Sequence, residues 1–231
     1  MISFPYRVLG EVPYGEALRL QRELVAEIIA QELPGVLLLL EHPPVITLGR
    51  GAKREHLLVP EAKLRERGVE LYEIERGGDV TYHGPGQIVG YPLLNLRFWQ
   101  KDVHAFLRAL EEVLIEFLRV FGISGFRFPP YTGVWVEKEG PKKIAAIGVA
   151  VKQWVTYHGF ALNVSPELSF FRYIVPCGIR DFGVTSLREI LGRDFSGKER
   201  VSMAHLLAQK FGEVFGFAME EVESEHPSFV D

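Results

Sequence analysis

This 231-residue chain carries one cysteine, three methionines and three tryptophans. One thiol closes no internal disulfide, so a cross-linked secreted scaffold is excluded and a reducing, cytoplasmic setting is expected. Charge of one sign is also missing: 26 basic against 30 acidic residues leave a net charge of −4. That balance excludes a general polyanion binder and leaves only a local basic patch for charged partners. Long apolar runs are absent as well. Val36–Leu40 falls far short of the roughly 20 residues a membrane helix needs, and Met1–Gly10 lacks the charged-then-apolar order of a signal peptide. Neither nucleic acid nor membrane is expected as a partner. Repeats, low-complexity tracts and Gly/Pro/Ser-rich linkers are lacking too. What remains is an ordinary globular composition, 47% apolar and 24% charged, in a chain long enough to bury roughly 70% of its unfolded surface. One domain over residues 1–231 is expected.

Apolar spacing of three and four predicts helices over Pro13–Leu33 and Asp102–Phe121, the second opened by a good N-cap. Shorter helices fit Pro60–Arg67, Thr185–Leu191 and Ser202–Phe215. Val36–Leu40, Val45–Leu48 and Val69–Ile74 read as strands. Strands dominate Gly133–Val164, with a hairpin turn between Val151 and Val155, and the last fifteen or so residues form a small appendage. Helices and strands mix without strict βαβ alternation, which predicts an α+β fold with a mixed, mostly antiparallel sheet.

Three features bear chemistry. The densest is Arg76-Gly-Gly-Asp-Val-Thr-Tyr-His-Gly-Pro-Gly-Gln87. Its glycines permit sharp bends and close backbone approach to a ligand. It matches neither the phosphate-binding P-loop nor the dinucleotide fingerprint. A tight hairpin between two strands explains the glycines equally; Arg76, Tyr82 and His83 favour a binding loop. The second is Cys177 in Ile174-Val-Pro-Cys-Gly-Ile179. A lone cysteine is commonly a small buried hydrophobe, but Pro176 and Gly178 set this one on a constrained turn, where a nearby cation or base would make it a nucleophile. The third is Lys143, opening Lys143-Ile-Ala-Ala-Ile-Gly-Val-Ala-Val151. Alternation places Ile144, Ala146, Gly148 and Ala150 on one face, and in the next strand Gly159 and Ala161 opposite His158, Phe160 and Leu162. Two neighbouring strands with shaved faces suit an apolar ligand slot or a closely packed helix.

Taken together and in order, Arg76–Gln87, Lys143–Gly148, His158–Val164 and Pro176–Ile179 resemble the octanoyltransferases of lipoate biosynthesis, over roughly residues 5–215. The resemblance implies an α+β domain with a central mixed sheet, shared with lipoate- and biotin-protein ligases. It further implies that Cys177 is the acyl-thioester nucleophile and Lys143 the partner that lowers its pKa. Substrate contacts would come from Arg76, Gly77, Gly78, Asp79, Val80, Thr81, Tyr82 and His83, from Ala146, Ile147 and Gly148, and from Gly159, Phe160 and Ala161. No metal or other cofactor is implied. The donor would be octanoyl-acyl carrier protein, and the acceptors lipoyl domains of 2-oxoacid dehydrogenases and the glycine cleavage H protein. Because such a donor is acidic, Arg50, Lys53 and Arg54 are the candidates for steering it; a solvated loop explains them equally. An ATP-dependent ligase and a non-catalytic acyl-binding module are the readings from other classes.

Overall fold

The computed structural model describes residues 2–222. Its centre is an eight-stranded mixed sheet in the order β11-β1-β2-β6-β10-β9-β8-β7. In chain order these are β1 (Ile2–Glu11), β2 (Gly35–Glu41), β6 (Gln87–Leu94), β7 (Gly125–Phe128), β8 (Tyr131–Glu137), β9 (Pro141–Lys152), β10 (Val155–Asn163) and β11 (Phe217–Glu221). β1 runs parallel to β2 and to β11, and the other pairs are antiparallel. A smaller sheet, β4-β3-β5, joins β3 (Val45–Leu48), β4 (Glu70–Glu73) and β5 (Val80–His83). The α+β class and the mostly antiparallel sheet agree with the expectation from sequence.

Helix α1 (Tyr14–Gln31) covers one face of the large sheet, where Ala17, Leu24 and Ile28 meet Leu38, Val89 and Tyr91. Helices α3 (Val103–Val120) and α5 (Gly197–Phe215) cover the other, with Phe106, Leu110, Phe117, Leu207 and Phe211 against Leu37, Ile88 and Leu162. β2 lies between two strands and under both layers, so its side chains are buried on both faces. The short helices α2 (Glu61–Glu66) and α4 (Leu187–Leu191) lie where short helices were expected. Asp102 caps α3 by accepting from the Ala105 amide. α5 begins five residues earlier than expected, because Ser196 and Glu199 form a reciprocal capping box. β1 had no counterpart in the sequence expectations. The appendage expected at the C-terminus begins as strand β11, and its remainder, 223–231, lies outside the described residues.

Two corrections bear on the site. The glycine-rich segment does not turn back as a hairpin: β5 pairs with β3 in the small sheet, whereas β6 pairs with β2 and β10 in the large one. The Gly84–Gly86 bend therefore carries the chain between sheets, and Gly86, at φ 87°, packs where a Cβ would lie 2.6 Å from the Ser165 carbonyl oxygen. The alternation along β9 also breaks. Val134 pairs with Ala145, but Trp135 pairs with Lys143, which leaves Ile144 as an extra, bulged residue. Ile144 consequently joins Ala145 in the α3/α5 core, and Lys143 turns to the α1 side with Ala146 and Gly148.

Candidate active site

On the α1 side of the sheet lies a cavity of about 230 Å³ that collects most of the expected residues. Cys177 and Lys143 both line it, and both also line a narrow recess of about 10 Å³ beside it, with Thr81, Asn163 and Pro176.

Cys177 sits in a single 3-10 turn, Pro176–Gly178, with φ 55° and ψ 19°. Left-handed backbone is uncommon for a residue with a side chain and marks a position held by its surroundings. The holders are visible. Residues 56–58 run antiparallel to 173–175, with Val175 donating to the His56 carbonyl and Leu58 to the Tyr173 carbonyl. Gly178 follows at φ 71°, packed so that a Cβ would meet Asp79 Oδ2 at 2.7 Å. Asp79 in turn bonds His56 Nδ1 at 2.6 Å and caps its own loop by accepting from the Val80 amide. The cysteine turn is thus clamped between the glycine-rich loop and the His56 segment.

Lys143 is buried, with Nζ donating to the Thr132 carbonyl at 3.1 Å and standing 5.0 Å from the Trp135 ring centroid, a cation–π distance. No carboxylate among the described residues forms an ion pair with it. Its backbone is fixed on both sides, the amide donating to Gly183 and the carbonyl accepting from Thr185. A buried ammonium with one neutral acceptor and an aromatic face is suited to an anion supplied within the cavity.

The glycine-rich loop supplies a second buried cation. Arg76 donates to Thr47 Oγ1 and O and to the Gly77 carbonyl, all neutral acceptors. Burial pushes its pKa down, and negative charge on the Cys177 sulfur would be the first of the influences opposing that shift. Strand alternation in β5 sends Thr81 and His83 to the cavity. Val80 and Tyr82 go the other way, into the small-sheet core with Phe170 and Phe171, and their side chains do not line the cavity. Gly77 does not line it either: its amide donates to the Val149 carbonyl, and its own carbonyl oxygen lies 2.8 Å from where a Gly148 Cβ would stand. Arg76, Gly78, Asp79, Thr81 and His83 do line it, as do Ala146, Ile147, Gly148, Gly159, Phe160 and Ala161.

The shaved strand faces therefore serve two purposes. Gly159 permits close strand packing, since a Cβ there would lie 2.0 Å from the Gly90 carbonyl oxygen, and Gly148 admits the Arg76–Gly77 crossing. Ala146 and Ala161 border both the cavity and the recess.

Tyr14, Val89, Tyr91 and His158 also line the cavity, all of them buried and none of them singled out in sequence as site residues. Tyr14 and Val89 have the periodicity of ordinary core positions. His158 was expected on the opposite face, but its φ of 56° breaks the alternation and its imidazole lines the cavity. Both its ring nitrogens are buried without a hydrogen-bond partner among the described residues. Pro130, Tyr131 and Thr132, also missed, form the more exposed rim near Lys143.

Three histidines are held neutral here, His83 and His158 lining the cavity and His42 bonded to Tyr91, which does. Burial lowers His83 to about 3, and His42 and His158 to about 4. Their tautomers follow from the partners. His42 Nδ1 donates to the Val12 carbonyl, so its Nε2 accepts from the Tyr91 hydroxyl. Gln87 donates its amide to Tyr82 O and Asn163 Oδ1, so its oxygen accepts from His83 Nδ1, leaving Nε2 as an acceptor. Arg50, Lys53 and Arg54 are exposed; Arg50 and Gly51 donate backbone bonds to the glycine-rich loop, and Arg54 pairs with Glu73.

Known proteins share the sequence and the fold of this chain. The model of the lipoyl protein ligase A/B catalytic domain matches residues 13–208. The chain is similar to an octanoyltransferase of Thermoanaerobacter sp. (strain X514), 46% identical over 96% of this chain and 95% of that one. It is also similar to one from Caldicellulosiruptor saccharolyticus, 49% identical over 94% and 91%. Among solved structures, the bipartite lipoate protein ligase of Thermoplasma acidophilum superposes with a TM-score of 0.72 at 17% identity, covering 97% of this chain and 89% of that one. The Aquifex aeolicus biotin protein ligase reaches 0.52 at 16% identity, covering 94% and 70%; both likenesses concern the fold. No described helix is long and apolar enough to cross a membrane. On the match over residues 13–208 and the near-complete coverage by these relatives, the chain belongs to the octanoyltransferase family and is an acyltransferase.

Proposed function

We propose that this protein moves an octanoyl group from a carrier-bound thioester to the ε-amine of a lysine on a lipoyl domain, through a thioester on Cys177. The observation that carries this reading is the shared cavity. The one cysteine of the chain, on a clamped left-handed turn, and a buried lysine with no carboxylate partner among the described residues face the same space. Family membership supports the octanoyl group. The fold shared with lipoate protein ligases, one of them solved in a system with its E2 lipoyl domain, supports lipoyl domains as acceptors.

The cycle starts with Cys177 as thiolate beside the Lys143 ammonium. The thiolate attacks the carbonyl of the donor thioester, the new S–acyl bond forms, and the old one breaks. The departing carrier sulfur takes its proton from Lys143. The lysine, now neutral, receives the proton of the attacking acceptor amine as the amide forms, and Cys177 leaves as thiolate. Charge and protons return to the starting state. Thioester exchange is nearly balanced in energy and amide formation drives the second half, so no nucleotide is consumed. An octanoyl carrier protein is the donor this chemistry fits, and the exposed Arg50, Lys53 and Arg54 beside the glycine-rich loop would steer its acidic surface.

Burying seven aliphatic carbons at ~0.8 kcal/mol each gives about 5–6 kcal/mol, enough for the cavity to measure chain length. The test is transfer from purified octanoyl carrier protein to an apo lipoyl domain without ATP. Wild type turns over and Cys177→Ala does not. Undiminished transfer by Cys177→Ala overturns the proposal, and a strict requirement for ATP with free octanoate moves the protein to the ligase class.

A further inference from the structure

We propose that Glu111 is a positioning residue for Lys143, acting through the peptide bond between Thr132 and Gly133. The inference rests on the reading of Lys143 as the proton partner of Cys177 and extends it to a residue on helix α3, outside the cavity.

Among the described residues Glu111 is the only buried acidic one, at 0% exposure. Its two oxygens have different partners. Oε2 accepts from Arg108 Nη1 at 2.6 Å and Arg127 Nε at 3.1 Å, which fixes the carboxylate on its outer side. Oε1 accepts from the Gly133 amide at 3.1 Å. The carbonyl of that same peptide unit, Thr132 O, is the acceptor for Lys143 Nζ, also at 3.1 Å. One peptide group thus stands between a carboxylate at its N–H end and an ammonium at its C=O end. Its dipole is aligned with both charges, and hydrogen bonds in such a chain strengthen one another.

The peptide is held in that place by its glycine. Gly133 has φ 120°, and a Cβ there would lie 2.5 Å from the Ala145 carbonyl oxygen and 3.5 Å from Lys143 Cε. The bulge at Ile144 brings Lys143 to the cavity side, and the Gly133 peptide meets it there. A purely structural role for Glu111, tying α3 to β7 through Arg127, is satisfied by Oε2 alone. It would leave the protonation of Lys143 untouched.

The experiment follows the titration of Lys143 directly, by the ¹³Cε resonance of labelled lysine and the Gly133 amide proton, in the full chain without substrate. In wild type the two signals are expected to move together, at one midpoint. Glu111→Gln keeps an acceptor for Gly133 but removes the charge, and is expected to lower that midpoint by roughly 0.5–1 pH unit. Arg108→Gln, at a half-exposed side chain, removes a cation from the outer oxygen and is expected to raise it. Glu111→Asp is expected to restore part of the loss. A Lys143 midpoint identical in wild type and folded Glu111→Gln overturns the proposal; if that variant does not fold, an unmoved midpoint in Arg108→Gln does so. Lys143→Ala with full transfer activity would instead overturn the reading on which this one rests, and the two failures are read from different measurements.

Discussion

Cys177 owes its presentation to backbone geometry more than to any one side-chain partner. A thiol at φ 55° between Pro176 and Gly178 is displayed on a turn, not tucked inside an element. The buried ammonium of Lys143 and the guanidinium of Arg76 line the same cavity. Val89 is buried and lines the cavity with Tyr14, Tyr91 and His158, so under the proposed function it is a wall against which an acyl tail would pack. Val89→Phe is expected to shorten the preferred chain. Each carbon excluded removes ~0.8 kcal/mol of binding, about a fourfold loss in kcat/KM for octanoyl donors with hexanoyl donors spared. Rates measured across a donor series check this, and an unchanged chain-length profile contradicts it. Gly148, which looked in sequence like part of the slot, is a poor position for that test, because a larger side chain there strikes the Gly77 carbonyl.

At the scale of elements, the site is built where the regular pattern fails. Periodicity located the long helices α1 and α3, the buried strand β2 and the β9–β10 hairpin, since each obeys one repeat over many residues. It misplaced Ile144 and His158, because a bulge and a positive φ leave no mark in the spacing of apolar residues. It also read Arg76–Gln87 as a possible hairpin, because two strands joined by glycines look alike whether they pair with each other or with different sheets. The proposed catalytic pair, Cys177 and Lys143, was legible through motifs, whereas Tyr14, Val89 and Glu111 were not, since buried positions on amphipathic elements look like core. The clamp on the cysteine turn gives an element-scale prediction. Gly178→Ala forces a side chain into left-handed backbone, at about 1–2 kcal/mol, and against Asp79 Oδ2. Acylation of Cys177 is expected to slow by at least roughly tenfold while circular dichroism reports a folded protein; an unaltered acylation rate would show that the clamp does not place the thiol.

Across the whole molecule, burial of three neutral imidazoles couples stability to pH. Unfolded histidines take up protons near pH 6.5, but in the folded protein His42 and His158 do so only at about 4 and His83 at about 3. Their contribution is therefore complete above pH 6.5 and is lost as pH falls toward 4, by about 1.4 kcal/mol per pH unit for each histidine. Urea midpoints should fall steeply between pH 6.5 and 4.5, and His42→Gln should flatten that slope. Equal midpoints at both pH values contradict the account.

The central claim is that the octanoyl group passes through Cys177. Intact-mass spectrometry of the protein mixed with octanoyl carrier protein, without ATP or acceptor, tests it most directly. The account predicts a single octanoyl adduct on the one cysteine, absent in Cys177→Ala and discharged when an apo lipoyl domain is added. Transfer to the lipoyl domain at the wild-type rate with no adduct at any time, or with an adduct that the acceptor does not discharge, would contradict it.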